Sequence, residues 1–226
     1  MPVLLFDIDG TLLQAHGVGR RCVEDAFERV VGGRFDTSAV TFSGKTDRQI
    51  FREILAAAGE AGVDVGGAGG VDGPFGEAYR ALMEECLPGA RVTALPGAVG
   101  LVRRLAADGV PTGLLTGNLR PLAYAKVARL GLGEAEFPFG AFGSDDEDRN
   151  ALPAIAVERA GRALGRRVDP AEVVVIGDTP LDVACARAGG CRAVAVATGR
   201  YGANDLAEAD VVLASLDDFD LDAVAA

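Results

Sequence analysis

The sequence predicts an α/β fold: a Rossmann-like, three-layer core around a parallel sheet, with a small helical insertion behind its first strand. Three observations carry that prediction. Four short apolar runs each end in a polar or glycine-containing cluster: residues 3–6 before Asp7-Ile8-Asp9-Gly10-Thr11, 110–115 before Thr116-Gly117-Asn118, 172–176 before Gly177-Asp178-Thr179, and 192–196 before Ala197-Thr198-Gly199. Nearly continuous apolar runs are what strands covered on both faces require. Helical patterns at 98–108, 121–130 and 153–164 lie between the runs. Parallel neighbours need such crossovers, so strand–helix alternation points to a parallel sheet. The alternation then fails between about residues 14 and 88, where helical patterns at 20–31, 47–58 and 75–86 follow one another.

Taken in order, residues 1–14 supply the first strand and its loop, and 15–87 form the helical cap. Residues 88–226 complete the α/β core domain. Within the insertion, residues 59–76 are dense in glycine and are expected to form a flexible loop between cap helices. A last apolar run at 210–214 predicts a short strand before a terminal turn or helix.

Composition narrows the function. The 226 residues are 49% apolar and 24% charged, enough apolar matter to offset the entropy of ordering the chain. Against 22 Lys and Arg stand 33 Asp and Glu, a net charge of −11. That balance disfavours nucleic acid and anionic membrane surfaces, both of which need a cationic face. Cys22, Cys86, Cys185 and Cys191 form no CxxC pair, so they are read as reduced thiols and not as a zinc site. With no basic leader and no apolar run long enough for a membrane span, the expectation is a cytoplasmic protein, monomeric or homodimeric.

In doubly wound sheets, ligands bind beyond the carboxyl ends of the strands, and every polar cluster named above falls at such an end. Asp7 and Asp9 stand two apart at the first of these ends, where one carboxylate can attack phosphorus while the other handles protons. Gly10 permits a sharp turn, which Thr11 can hold by hydrogen bonds. Thr116 offers a hydroxyl, and Gly117 lets backbone amides approach a phosphate.

The combination of DIDGT, Thr116-Gly-Asn and Gly-Asp-Thr-Pro-Leu-Asp182, with a helical insertion after the first strand, resembles the haloacid dehalogenase superfamily. It is most similar to the branch of phosphoglycolate-phosphatase-like and β-phosphoglucomutase-like enzymes with a helical cap. The resemblance runs through the whole chain. It implies a Mg²⁺-dependent phosphatase acting on a small anionic phosphorylated metabolite through an aspartyl-phosphate. Asp7 would be the nucleophile and Asp9 the general acid and base. Asp7, Asp9 (through its backbone carbonyl) and Asp178 would hold Mg²⁺, a hard cation suited to oxygen ligands. Gly10, Thr11, Thr116, Gly117 and Asn118 would contact phosphate, while Asp182 and Thr179 orient the cation or the metal's water.

The family also implies a lysine that grips the phosphate, and neither of the chain's two lysines, Lys45 and Lys126, is assigned to that place. Arg149 is the substitute, since a guanidinium keeps the charge and can bind phosphate through two parallel hydrogen bonds. Lys45 and Arg48 flank a polar turn before a helix that Asp47 can cap, and could meet an anionic substrate tail there. Arg20 and Arg21 read as a solvated helix face and Lys126 as a solvent-facing mid-helix residue, while His16 stands near the hinge of the cap. A β-phosphoglucomutase-like or phosphonatase-like enzyme, or a catalytically silent phosphate-binding module, are the alternatives.

Overall fold

The computed structural model describes residues 1–225. In chain order it contains β1 (Val3–Phe6), β2 (Leu13–Gln14), α1 (Val18–Val31), α2 (Asp47–Glu60), α3 (Pro74–Cys86), β3 (Thr93–Ala94), α4 (Ala98–Ala107) and β4 (Thr112–Thr116). There follow α5 (Arg120–Ala128), β5 (Gly140–Phe142), α6 (Leu152–Leu164), β6 (Val173–Gly177), α7 (Pro180–Ala188), β7 (Arg192–Val196), β8 (Val211–Leu213) and α8 (Leu221–Ala225). Six strands form one parallel sheet in the order β5-β4-β1-β6-β7-β8.

The central strand shows why the sheet has two covered faces. All four residues of β1 are fully buried. Leu4 and Phe6 enter one apolar cluster with Leu101, Val102 and Leu105 of α4 and Leu122, Ala123 and Val127 of α5. Val3 and Leu5 enter a second cluster with Leu152, Ala156 and Ala160 of α6 and Val183 and Ala186 of α7. Alternate side chains of a strand point to opposite faces, so a run without polar members is buried on both. The result is the predicted three-layer α/β core.

Helices α1–α3 lie between β2 and β3 in sequence and meet around aromatic rings. Phe51 stacks on Phe75 at 4.4 Å, Tyr79 meets Phe51 edge-on at 5.2 Å, and Phe27 meets Phe75 edge-on at 5.9 Å. The passage into and out of these helices is an antiparallel pair, Leu13 opposite Ala94 and Gln14 opposite Thr93. The glycine-dense stretch between α2 and α3 is anchored by buried Ala68 and Val71.

Three strands lie outside the sequence prediction. Two-residue β2 and β3 are too short for a period-two pattern, and β5 is a glycine-led edge strand of three residues. The edge is closed by side chains: Arg159 donates to the Gly140 carbonyl at 2.8 Å, and Asp145 accepts from Phe142 N at 2.9 Å. Such cover removes a template for unwanted strand pairing.

Candidate active site

The loops after β1, β4, β6 and β7 meet beneath helices α1–α3 and enclose a cavity of about 540 Å³. Asp7, Asp9, Gly10, Thr116, Gly117, Asn118, Lys45, Arg149 and Asp178 all line it. Asp7 is held at the floor because its backbone N–H still belongs to the sheet, donating to the Ile176 carbonyl at 2.9 Å. The chain then turns at Gly10, whose φ of 91° lies in the left-handed region. A Cβ on Gly10 would fall 2.3 Å from Asp178 Oδ2, so the residue is fixed by both conformation and space. Thr198, after β7, locks this turn by donating to the Gly10 carbonyl at 2.6 Å.

Asp7, Asp178 and Asp182 form a buried acidic cluster with one oxygen from each within 4.8 Å of the others. Arg149 answers them. Its Nη2 lies 2.5 Å from Asp182 Oδ1 and 3.4 Å from Asp7 Oδ1, and the side chain is almost fully buried. Asp182 is itself fixed by a reciprocal cap at the start of α7. Thr179 donates from its N–H and hydroxyl to Asp182 Oδ2 at 3.0 and 2.7 Å and accepts from Asp182 N at 3.2 Å.

One guanidinium does not neutralise three carboxylates. Burial, reinforced by the Asp182 and Asp7 charges, pushes Asp178 up to about 8. Burial likewise raises Asp7 to about 6, although Arg149 pulls it back down. The same carboxylates hold Arg149 charged against the cost of its own burial. An excess of buried negative charge is what a divalent cation relieves, and its oxygen donors suit a hard one. The residues present therefore fit Mg²⁺.

The second carboxylate, Asp9, sits in a different setting. Lys126 Nζ donates to Asp9 Oδ2 and to Asn118 Oδ1, each at 2.6 Å, and Asn118 Nδ2 donates to the same Asp9 oxygen at 2.9 Å. This corrects the reading of Lys126 as solvent-facing: its side chain is only 6% exposed. Its partners on α5 carry the signal, because Leu122, Ala123 and Val127 are the helix's buried face and Lys126 falls among them. Asn118 is turned toward Asp9, Lys126 and the Thr116 hydroxyl.

Other sequence expectations also shift. Thr11 is fully buried behind the cavity wall and donates to Asp178 Oδ1 at 3.4 Å, so it supports a carboxylate instead of facing the cavity. Thr179 and Asp182 stand behind the wall as well. Thr46 and not Asp47 caps α2, accepting from Gln49 N at 3.1 Å. The buried Asp47 carboxylate instead accepts from Leu119 N at 2.9 Å, while its own N–H donates to the Gly117 carbonyl at 2.8 Å. Backbone thus meets backbone at Gly117, where a Cβ would sit 2.0 Å from the Lys45 carbonyl. Burial raises Asp47 to about 6.

Arg20, expected on a solvated face, folds inward. It donates to the Thr37 carbonyl and hydroxyl at 2.8 Å and to the Val40 carbonyl at 3.0 Å, with its guanidinium stacked over Phe42. These partners sit in an irregular loop, where sequence periodicity carries no signal. Arg21 stays exposed and donates to the His16 carbonyl at 3.1 Å. Lys45 is paired with Glu53 at 2.5 Å; Arg48 is engaged by Asp72 at 2.7 Å and Ser144 O at 3.2 Å and lies outside the cavity lining. His16 lines the cavity, shares a 2.9 Å hydrogen bond with Thr93, and has a φ of 46°.

The chain has relatives among known proteins. The family model of haloacid dehalogenase-like hydrolases matches residues 4–187. The validoxylamine A 7'-phosphate phosphatase of Streptomyces hygroscopicus subsp. limoneus is 30% identical over 95% of this chain and 93% of its own. A phosphoglycolate phosphatase of Cereibacter sphaeroides is 28% identical over 85% of this chain and 83% of its own. Among solved structures, a mutant of CbbY from Rhodobacter sphaeroides in complex with xylulose-(1,5)bisphosphate superposes with a TM-score of 0.76 over the full length of both chains, at 21% identity.

Proposed function

Because the chain belongs to the haloacid dehalogenase-like hydrolases, we propose that it is a Mg²⁺-dependent phosphatase that hydrolyses a small phosphorylated metabolite through an aspartyl-phosphate at Asp7. The relatives named as phosphatases support a phosphoric monoester hydrolase, and their names point to different substrates. Among the described residues no helix is long and apolar enough to cross a membrane.

The observation that carries the reading is the floor of the cavity. Asp7 lies at the end of the central strand, between the Arg149 guanidinium and the Asp178 carboxylate, with Asp9 two residues on. An Asp7 oxygen attacks phosphorus, the bond to the alcohol oxygen breaks, and Asp9 gives that oxygen a proton. In the second half Asp9 takes a proton from the water that attacks the phosphoryl group, and Asp7 leaves as a carboxylate. Arg149, steadied by Asp182 and through it by Thr179, supplies positive charge where the phosphoryl oxygens gather negative charge. Lys126 and Asn118 fix the Asp9 oxygen that they share. Asp7, the backbone carbonyl of Asp9, and Asp178 would hold Mg²⁺. When bound, the cation offsets the repulsion between the Asp7 anion and an anionic phosphate.

The test is phosphate release from a panel of phosphate esters with and without Mg²⁺. Turnover that requires the metal and disappears in Asp7→Asn supports the assignment; metal-independent turnover, or full activity in that variant, overturns it.

A further inference from the structure

Asp47 is a buried carboxylate at the cavity that the hydrolytic scheme above does not use. As the first residue of α2 it could serve its own helix, but Thr46 already caps that end. The Asp47 side chain is spent elsewhere, on the loop after β4. There it brackets a single residue. Its N–H donates to the Gly117 carbonyl, just before Asn118, at 2.8 Å, and its carboxylate accepts from Leu119 N, just after Asn118, at 2.9 Å. The Asn118 carbonyl in turn accepts from Gly143 N at 2.9 Å. With its backbone held on both sides, Asn118 aims its side-chain amide at Asp9 Oδ2 and offers its Oδ1 to Lys126.

The bracket stands on a fixed base. Thr46 donates its hydroxyl to the Glu147 carbonyl at 2.7 Å, and Arg48 donates to the Ser144 carbonyl at 3.2 Å. Space leaves these segments little play. A Cβ on Gly143 would fall 1.9 Å from the Gly117 carbonyl and 3.3 Å from Asp47 N, so three stretches of backbone interlock at this point. A carboxylate is costly to bury, and Asp47 is only 8% exposed. Its partners offset that cost: the Leu119 N–H and the Lys126 charge both favour the anion.

We propose that Asp47 is a positioning residue for proton transfer at Asp9. By bracketing Asn118 it keeps Asn118 and Lys126 in register on the Asp9 carboxylate, from which the leaving alcohol takes its proton. Asp47 acts through Asn118 and touches neither the phosphoryl group nor the leaving oxygen. The segment entering α2 thus completes the setting of the acid, which gives the helical insertion a part in the chemistry beyond covering the cavity. The proposal rests on the phosphatase reading above and deepens it.

The test uses the full chain with Mg²⁺ and two esters of similar shape, phenyl phosphate and p-nitrophenyl phosphate. Phenolate is a basic leaving group that needs a proton from Asp9, whereas p-nitrophenolate departs largely without one. The ratio of kcat/KM on the two esters therefore reads the acid step alone, and a merely structural role would not move it. Asp47→Ala, checked for folding by its unfolding temperature, should lower kcat/KM about tenfold on phenyl phosphate and no more than about twofold on p-nitrophenyl phosphate. Asp47→Asn keeps an acceptor for Leu119 N and should restore the ratio to within about twofold of the parent. Should Asp47→Ala not fold, Asp47→Glu, which keeps the charge and displaces the acceptor by one methylene, is expected to show the same selective loss. An equal loss on both esters, or an unchanged ratio, in a folded Ala or Glu variant overturns the role of Asp47 and leaves the phosphatase reading standing. A selective loss in Asp47→Asn as large as in Asp47→Ala overturns the bracket as its cause. No release from either ester by the parent chain overturns this proposal together with the reading it rests on.

Discussion

Replacing Lys126 by methionine removes a buried ammonium while keeping most of the side chain's volume. The structure allows the cost to be worked. Asn118 Oδ1 loses a 2.6 Å donor, and leaving a buried acceptor unpaired costs about 1–3 kcal/mol. Asp9 loses its 2.6 Å ion pair, but its side chain is 41% exposed, so water screens the carboxylate left behind. The full penalty of about 3–5 kcal/mol for breaking a buried pair therefore does not apply. A net loss of about 2–4 kcal/mol follows, which in a chain of this size lowers the unfolding temperature by roughly 5–15 °C. Asp9, no longer held from α5, should also lose part of an acid–base contribution worth about 10²–10⁴, so kcat falls about tenfold to a hundredfold. Calorimetric unfolding and steady-state phosphate release read the two effects. An unfolding temperature within about 1 °C of the parent and kcat within about twofold would show Lys126 to be a bystander.

Arg149→Ala should lower kcat by about 10²–10³ and also destabilise the fold, because Asp182 is left buried without its cation; Arg149→Lys should recover part of both, and phosphate-release kinetics beside thermal unfolding measure them. The raised Asp178 and Asp7 values carry a pH prediction. At these two sites the folded chain keeps protons that the unfolded chain has released, so their contribution to metal-free stability is full below about pH 4 and is lost as pH rises through about 6 and about 8. Cation binding must displace those protons. Mg²⁺ affinity should therefore tighten by up to about tenfold per pH unit between 6 and 8, with proton release visible as a buffer-dependent heat in titration calorimetry. A pH-independent affinity would contradict the acidic cluster as the metal site.

The core is readable in the sequence because burial on both faces leaves an unmistakable mark. The apolar run of β1 and those of β4, β6 and β7 end where the chain meets the cavity, and the residues there, Asp7, Thr116, Asp178 and Thr198, come together as strand-end clusters should. Arg149 is found through the family resemblance, which implies a phosphate-gripping cation that neither lysine supplies, and it sits 3.4 Å from Asp7. Lys126 is easily misread because a lone mid-helix lysine ordinarily faces water, although its spacing from Leu122 and Ala123 places it on the buried side. Thr11 shows the opposite limit: sequence places it beside the phosphate, but which way a turn residue's hydroxyl points depends on a partner 167 positions away. The role of Arg20 depends on the irregular loop between α1 and α2, and that of Asp47 on the loop after β4, contacts with no periodic trace.

The claim that most of this rests on is covalent chemistry at Asp7. Acid quenching of the protein during turnover of a phosphate ester labelled in its phosphoryl group, followed by peptide mapping, tests it directly. Label is expected on the peptide that contains Asp7 and none in Asp7→Asn. Turnover at an undiminished rate in Asp7→Asn, or label on another residue, would contradict it.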